Sequence, residues 1–127
     1  MNMSAARTGY DAARRGVASP QTMEVSVLDR VTVALARASR DRDGDFGAYV
    51  EALGRNAGLW RFFASALAAP DNALPMELRQ RLFALAAFVA DETNRVLAGD
   101  TDADTLCEIN RSILTGLREA HSAGAAR

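Results

Sequence analysis

From Phe46 to Leu67 the apolar residues Phe46, Val50, Leu53, Ala57, Trp60, Ala64 and Leu67 recur at alternating steps of four and three. That spacing follows the 3.6-residue turn of an α-helix and sets all seven on one face. A chain with such a stripe must bury it against other elements, and three more segments of the same kind are present. Met23, Val27, Leu28, Val31, Leu35 and Ala38 mark the first, and Leu78, Leu82, Leu85, Val89 and Val96 mark the one after the central stripe. Leu106, Ile109, Ile113 and Leu117 mark the last. In the first segment Val25, Val27, Val31 and Val33 also alternate as a strand would, but no turn residue separates the two valine pairs, and the helical reading is preferred.

Punctuation agrees with four helices. Ser19-Pro20 reads as an N-cap followed by proline at the first helical position. The charged run Ser39–Asp45 ends that helix, Pro70-Asp71-Asn72 ends the next, and Leu74-Pro75 opens a third. Gly99 fits a C-terminal cap, and the aspartates of Asp100–Asp104 offer an N-cap for the fourth. The expected spans are 20–39, 46–69, 75–98 and 103–119. Short connections between helices of this length point to an all-α, single-domain antiparallel bundle over residues 19–120. Residues 1–18 are polar, with Tyr10 and Val17 the only sizeable apolar groups after the first methionines. They form at most a weak helix, tied down loosely or only by a partner, and 121–127 reads as a disordered tail.

Two features stand out within the helices. Gly54 and Gly58 lie four apart on one face, each costing about 1 kcal/mol relative to alanine, which suggests close approach of a neighbouring backbone or a kink. In the third helix Phe83, Ala87 and Ala90 form a second stripe, so that Leu82–Ala90 is apolar nearly all round. Such a helix is either central in its bundle or covered by a partner. Leu53, Trp60, Leu82, Leu85 and Ile113 are expected to be more than about nine-tenths buried, as the core positions of these stripes.

The chemistry-bearing residues are sparse. With 127 residues the chain has room for one domain, and its net charge of −1 provides no overall field for nucleic acid or an anionic membrane. The single Cys107 excludes an internal disulfide and fits a reducing compartment, and the single His121 lies far from any partner for it. Nucleophile-elbow, zinc and phosphate-loop patterns are missing, and the DTDAD run lacks the central glycine and final glutamate of a calcium loop. The carboxylates Asp91, Glu92, Asp100, Asp102, Asp104 and Glu108 read as a solvated helix end and loop. These observations imply no enzyme, no metal and no cofactor. The N-terminus has no apolar secretory core, and uncharged runs such as Leu82–Ala90 are far shorter than the roughly 20 residues of a membrane span, so a cytoplasmic protein is expected.

Binding residues are therefore the remaining candidates. Trp60 is either a core anchor or an aromatic at the lip of a groove, and an exposed Phe62 would favour the groove. Asn110 falls on the apolar stripe of the last helix and Asn56 borders that of the second. A buried amide must be hydrogen-bonded, so each either ties the Pro70–Pro75 loop or a helix end internally, or bonds the backbone of a bound chain. Arg79 and Arg111 read as surface charges. Arg7, Arg14 and Arg15 could touch RNA phosphates, but without interleaved aromatics they are a weak signal, and direct nucleic-acid binding is not expected.

Several short motifs add a resemblance. Tyr10 is followed by Ser19-Pro20 with Glu24, then by Asn56, Leu59 and Trp60, then by Asn72, Leu74, Pro75, Leu78 and Arg79. Val89, Thr93 and Val96 come next, then Asn110, Arg111 and Ile113, ending in Gly116-Leu117. In this order, from about Tyr10 to Leu117, the motifs resemble the FlaF family, small cytoplasmic flagellar proteins of alphaproteobacteria. The chain departs from that pattern at Gln21-Thr22, at Phe88 and at Leu114-Thr115. The resemblance implies a regulator of flagellin synthesis that binds flagellin as an export chaperone and promotes filament assembly, with FlbT as a possible second partner. An alternative is post-transcriptional control of flagellin mRNA, directly or with FlbT, and a third is a bundle that simply oligomerises. The candidate partner-binding residues are Tyr10, Asn56, Trp60, Phe62, Asn72, Leu74, Arg79, Asn110 and Arg111.

Overall fold

The computed structural model describes residues 23–125. Tyr10, Ser19-Pro20 and the weak N-terminal helix expected before residue 19 lie outside the described residues. Those described form four helices and no strand: α1 (Val25–Arg40), α2 (Phe46–Ala68), α3 (Met76–Leu97) and α4 (Asp104–Ala125). The short links between consecutive helices reverse the chain each time. α2 packs on both α1 and α3, α1 also packs on α4, and α3 and α4 scarcely touch. The four helices thus form a ring with one thin edge.

Helix ends follow from local chemistry. Glu24 is extended, with φ −83 and ψ 135, so α1 begins at Val25 rather than near Pro20. Met23 and Leu28, at the N′ and N4 positions of a hydrophobic staple, are both buried, which draws the entering chain into the core. Asp45 caps α2 by accepting the Ala48 N–H at 3.0 Å. Pro75 sits at the N-cap of α3, one position earlier than expected. α3 ends in a Schellman motif: Gly99, at φ 84, sends its N–H to Val96 O at 3.0 Å, and the Asp100 N–H reaches Arg95 O at 2.9 Å. Asp102 accepts the Asp104 N–H at 3.0 Å where α4 starts. α4 then runs to Ala125, through residues read from the sequence as tail.

The core is built from Leu28, Leu35, Leu53, Trp60, Leu67, Val89, Val96, Leu106 and Leu114, with smaller groups between them. The central stripe holds from Leu53 to Leu67 but rotates at its start. Tyr49 and Ala52 turn inward, while Phe46 is 62% exposed and Val50 39% exposed. Leu53 and Trp60 are buried as expected, whereas Leu82, Leu85 and Ile113 are only half-buried. The cause is the thin edge: α3 and α4 stand too far apart to cover each other's inward apolar residues. Gly54 and Gly58 have another surprise. A side chain at Gly54 would meet nothing within 4 Å and one at Gly58 only the Arg61 guanidinium at 3.7 Å, so no backbone closes on this face among the described residues.

Hydropathy also missed a set of buried polar residues. Thr32 and Thr93 lie in the core because each hydroxyl donates to the carbonyl four residues back, Leu28 O and Val89 O, both at 2.7 Å. Glu92 is likewise buried, with Arg95 Nη1 at 3.1 Å from its carboxylate, and is not the solvated helix-end charge expected.

Candidate interaction surface

Three groups of residues account for the candidate positions, and only one of them faces outward. The first is a buried polar cluster at the centre of the bundle. Asn110 Oδ1 accepts from Trp60 Nε1 at 2.9 Å. Its Nδ2 donates to Thr32 Oγ1 at 3.0 Å and to Asn56 Oδ1 at 2.8 Å. α2 and α4 lie diagonally across the ring, so these bonds span a distance that backbone packing does not. Trp60 also meets Phe63 edge-on, with ring centroids 5.6 Å apart. Asn56, Trp60 and Asn110 are therefore sealed inside the fold, where no partner reaches them. Their internal role ties three helices to one another, not the Pro70–Pro75 loop. Asn56 Nδ2 is the one buried side-chain polar atom without a partner among the described residues.

The second group builds the corner between α2 and α3. Asn72 Nδ2 donates to Ala66 O at 2.9 Å while its Oδ1 accepts the Leu74 N–H at 3.0 Å, an Asx turn. Arg79 reaches back from α3 and donates to Leu67 O through Nε at 3.1 Å and Nη2 at 2.8 Å, and to Ala69 O at 3.3 Å. α2 has lost its own donors at this end, and a cation near its carbonyls also suits the helix dipole. Arg79 is thus half-buried and spoken for, rather than a free surface charge. Leu74 is half-buried beside it and packs on the core.

The third group is the outer surface of α3 and its neighbour α2. Met76, Phe83 and Leu97 recur at seven-residue steps and are 62%, 49% and 48% exposed. Ala87 and Ala90 continue the same side, and with Ala57 and Ala64 of α2 they line a groove of about 320 Å³. Phe83 stands at this groove, Trp60 at its floor, and Arg61 and Asn94 are its polar members. Phe62 and Phe88 add exposed aromatic surface on α2 and α3. The apolar all-round helix is therefore peripheral, not central. Phe62 is out in solvent, as the groove reading required. Arg111 is exposed, on α4, away from this face.

Reactive groups are few. Cys107 is buried, and that burial pushes its thiol pKa up, which suppresses the thiolate. Among the described residues no group of His, Cys, Asp and Glu is arranged to hold a metal, and no helix is long and apolar enough to cross a membrane.

Compared with known proteins, the chain matches the family described as flagellar protein FlaF over residues 6–117. Neither a curated protein nor a solved structure matches it.

Proposed function

The chain belongs to the FlaF family, and we propose that it acts as a flagellin-binding export chaperone that promotes flagellin synthesis, secretion and filament assembly. The observation that supports this reading is the uncovered apolar surface of α3. A contiguous exposed apolar patch is disfavoured on a protein that works alone, and marks a docking site. An amphipathic helix laid along the α2/α3 groove would cover Met76, Phe83 and Leu97, with the alanine floor allowing its backbone to come close. The half-buried Leu82, Leu85, Ile109 and Ile113 at the thin α3/α4 edge offer further surface that a bound chain would complete. Flagellin, whose terminal helices need cover before secretion, is the partner that the family supplies.

Purified full-length chain mixed with monomeric flagellin tests the reading by size-exclusion chromatography in high salt. A stoichiometric complex is expected, because apolar burial rather than charge drives it. The Phe83→Glu variant should elute as free protein while keeping its helical circular dichroism. Co-elution unaffected by Phe83→Glu, or no complex at all, rejects the proposal.

A further inference from the structure

Folding gathers arginines that the sequence scatters. Arg37 and Arg40 on α1 and Arg111 and Arg118 on α4 line one groove between these two helices, more than seventy residues apart along the chain. Four arginines there meet a single acid, Asp29, whose carboxylate lies 3.3 Å from Arg118. Among the described residues no carboxylate lies within ion-pair distance of Arg37, Arg40 or Arg111. All four arginines are exposed. The groove floor is small or buried, with Ala36, Leu114 and Thr115, and Val33 is 42% exposed at its side. Four cations held together without counter-charges repel one another, and an anionic ligand relieves that cost.

We infer that the α1/α4 groove binds an acidic helical segment of a partner protein, with the Arg37, Arg40, Arg111 and Arg118 guanidinium groups taking its carboxylates and Val33 an apolar contact. This site is separate from the α2/α3 groove and does not depend on the flagellin reading.

The groove favours a helix for reasons of spacing. Arg111 and Arg118 are seven residues apart, two helical turns or about 10.5 Å, which matches carboxylates seven apart on a second helix. Guanidinium groups also pair carboxylates in bidentate geometry. Nucleic acid fits this face less well. Single strands are held largely by stacking on aromatics, and the exposed phenylalanines Phe46, Phe62, Phe83 and Phe88 all belong to α2 and α3. The reversing chain also puts the Asp41, Asp43 and Asp45 link at the same end as the Asp100–Asp104 link, beside Arg40. A long polyanion running out of the groove would meet those aspartates, whereas a short acidic helix would end before them.

The test uses the full chain, a fluorescent 20-residue helical peptide of alternating glutamate and leucine turns, its lysine-for-glutamate counterpart, and a 20-nucleotide uridine RNA. The acidic peptide should bind and weaken about tenfold or more as salt rises from low to high, while the basic peptide does not bind. The double variant Arg37→Glu/Arg111→Glu should lose binding at least about tenfold, and Arg81→Glu on α3 should lose none. Should the charge reversals fail to fold, judged by helical circular dichroism, Arg40→Gln/Arg118→Gln serves in their place and should weaken the peptide in the same direction. RNA bound more tightly than the acidic peptide, equal loss from Arg81→Glu, or binding indifferent to the groove variants would each overturn the inference.

Discussion

The α1/α2/α4 side and the α3 side of this bundle solve the burial problem in opposite ways. On the first, three helices are fastened by side-chain hydrogen bonds around Asn110, and every large residue of the cluster is sealed. On the second, α3 is held to α2 by the Asn72–Arg79 corner at one end and leaves Phe83, Phe88, Met76 and Leu97 in water. A polar cluster fixes one arrangement of its helices, whereas an apolar surplus leaves a face that can still accept something. Specificity of fold and capacity for binding are thereby placed in different parts of a small domain.

Mutations should separate the two sides by the quantity they move. The largest effect is expected for Asn110→Leu, which strands Trp60 Nε1 and Asn56 Oδ1 in the core. At about 1–3 kcal/mol for each orphaned group, the variant should lose about 4 kcal/mol in urea unfolding. A stability gain would show that the cluster is dispensable. Next, Leu53→Ala should cost about 3 kcal/mol but Leu82→Ala only about 1, since the latter is already half in solvent. Equal losses would mean that the thin edge closes in solution. Arg79→Ala should cost about 1.5 kcal/mol by freeing the last carbonyls of α2, with Arg79→Lys recovering only part because it has no planar fork. The smallest stability change, within about 0.5 kcal/mol, is expected for Phe83→Ser. That same variant should show the greatest loss of flagellin binding, and a parallel fall in stability would assign Phe83 to the core instead.

Most of the helical framework was legible in the residues, because periodicity and caps act locally. Gly99 read as a cap because only a residue free to take positive φ closes a Schellman motif. The stripe from Leu53 to Leu67 read as core because its members are apolar and in phase. What was not legible depended on neighbours. Phe46 and Val50 fit the stripe as well as Tyr49 does, and only the position of α1 decides between them. Leu85 and Ile113 carry the right side chains, yet their burial depends on how far α3 stands from α4. Thr32 was passed over because its hydroxyl appears costly until the carbonyl at Leu28 is seen to take it. Of the candidate contact residues, Asn56, Trp60 and Asn110 were noticed for a sound reason, that they are polar or amphipathic groups in apolar stripes. Their partners proved to be one another, which spacing within one helix cannot reveal.

The Asn110 cluster also bears on how the chain finds its fold. Asn110 draws in Asn56 from 54 residues away and Thr32 from 78. Helices packed only by leucines and alanines can slide past one another by a turn and still bury similar area. A slip of one turn, about 5.4 Å, would break each of these bonds together. The cluster therefore works as a register lock that closes only when α1, α2 and α4 are all aligned. It should form late in folding, after the local helices, since its contacts span most of the domain.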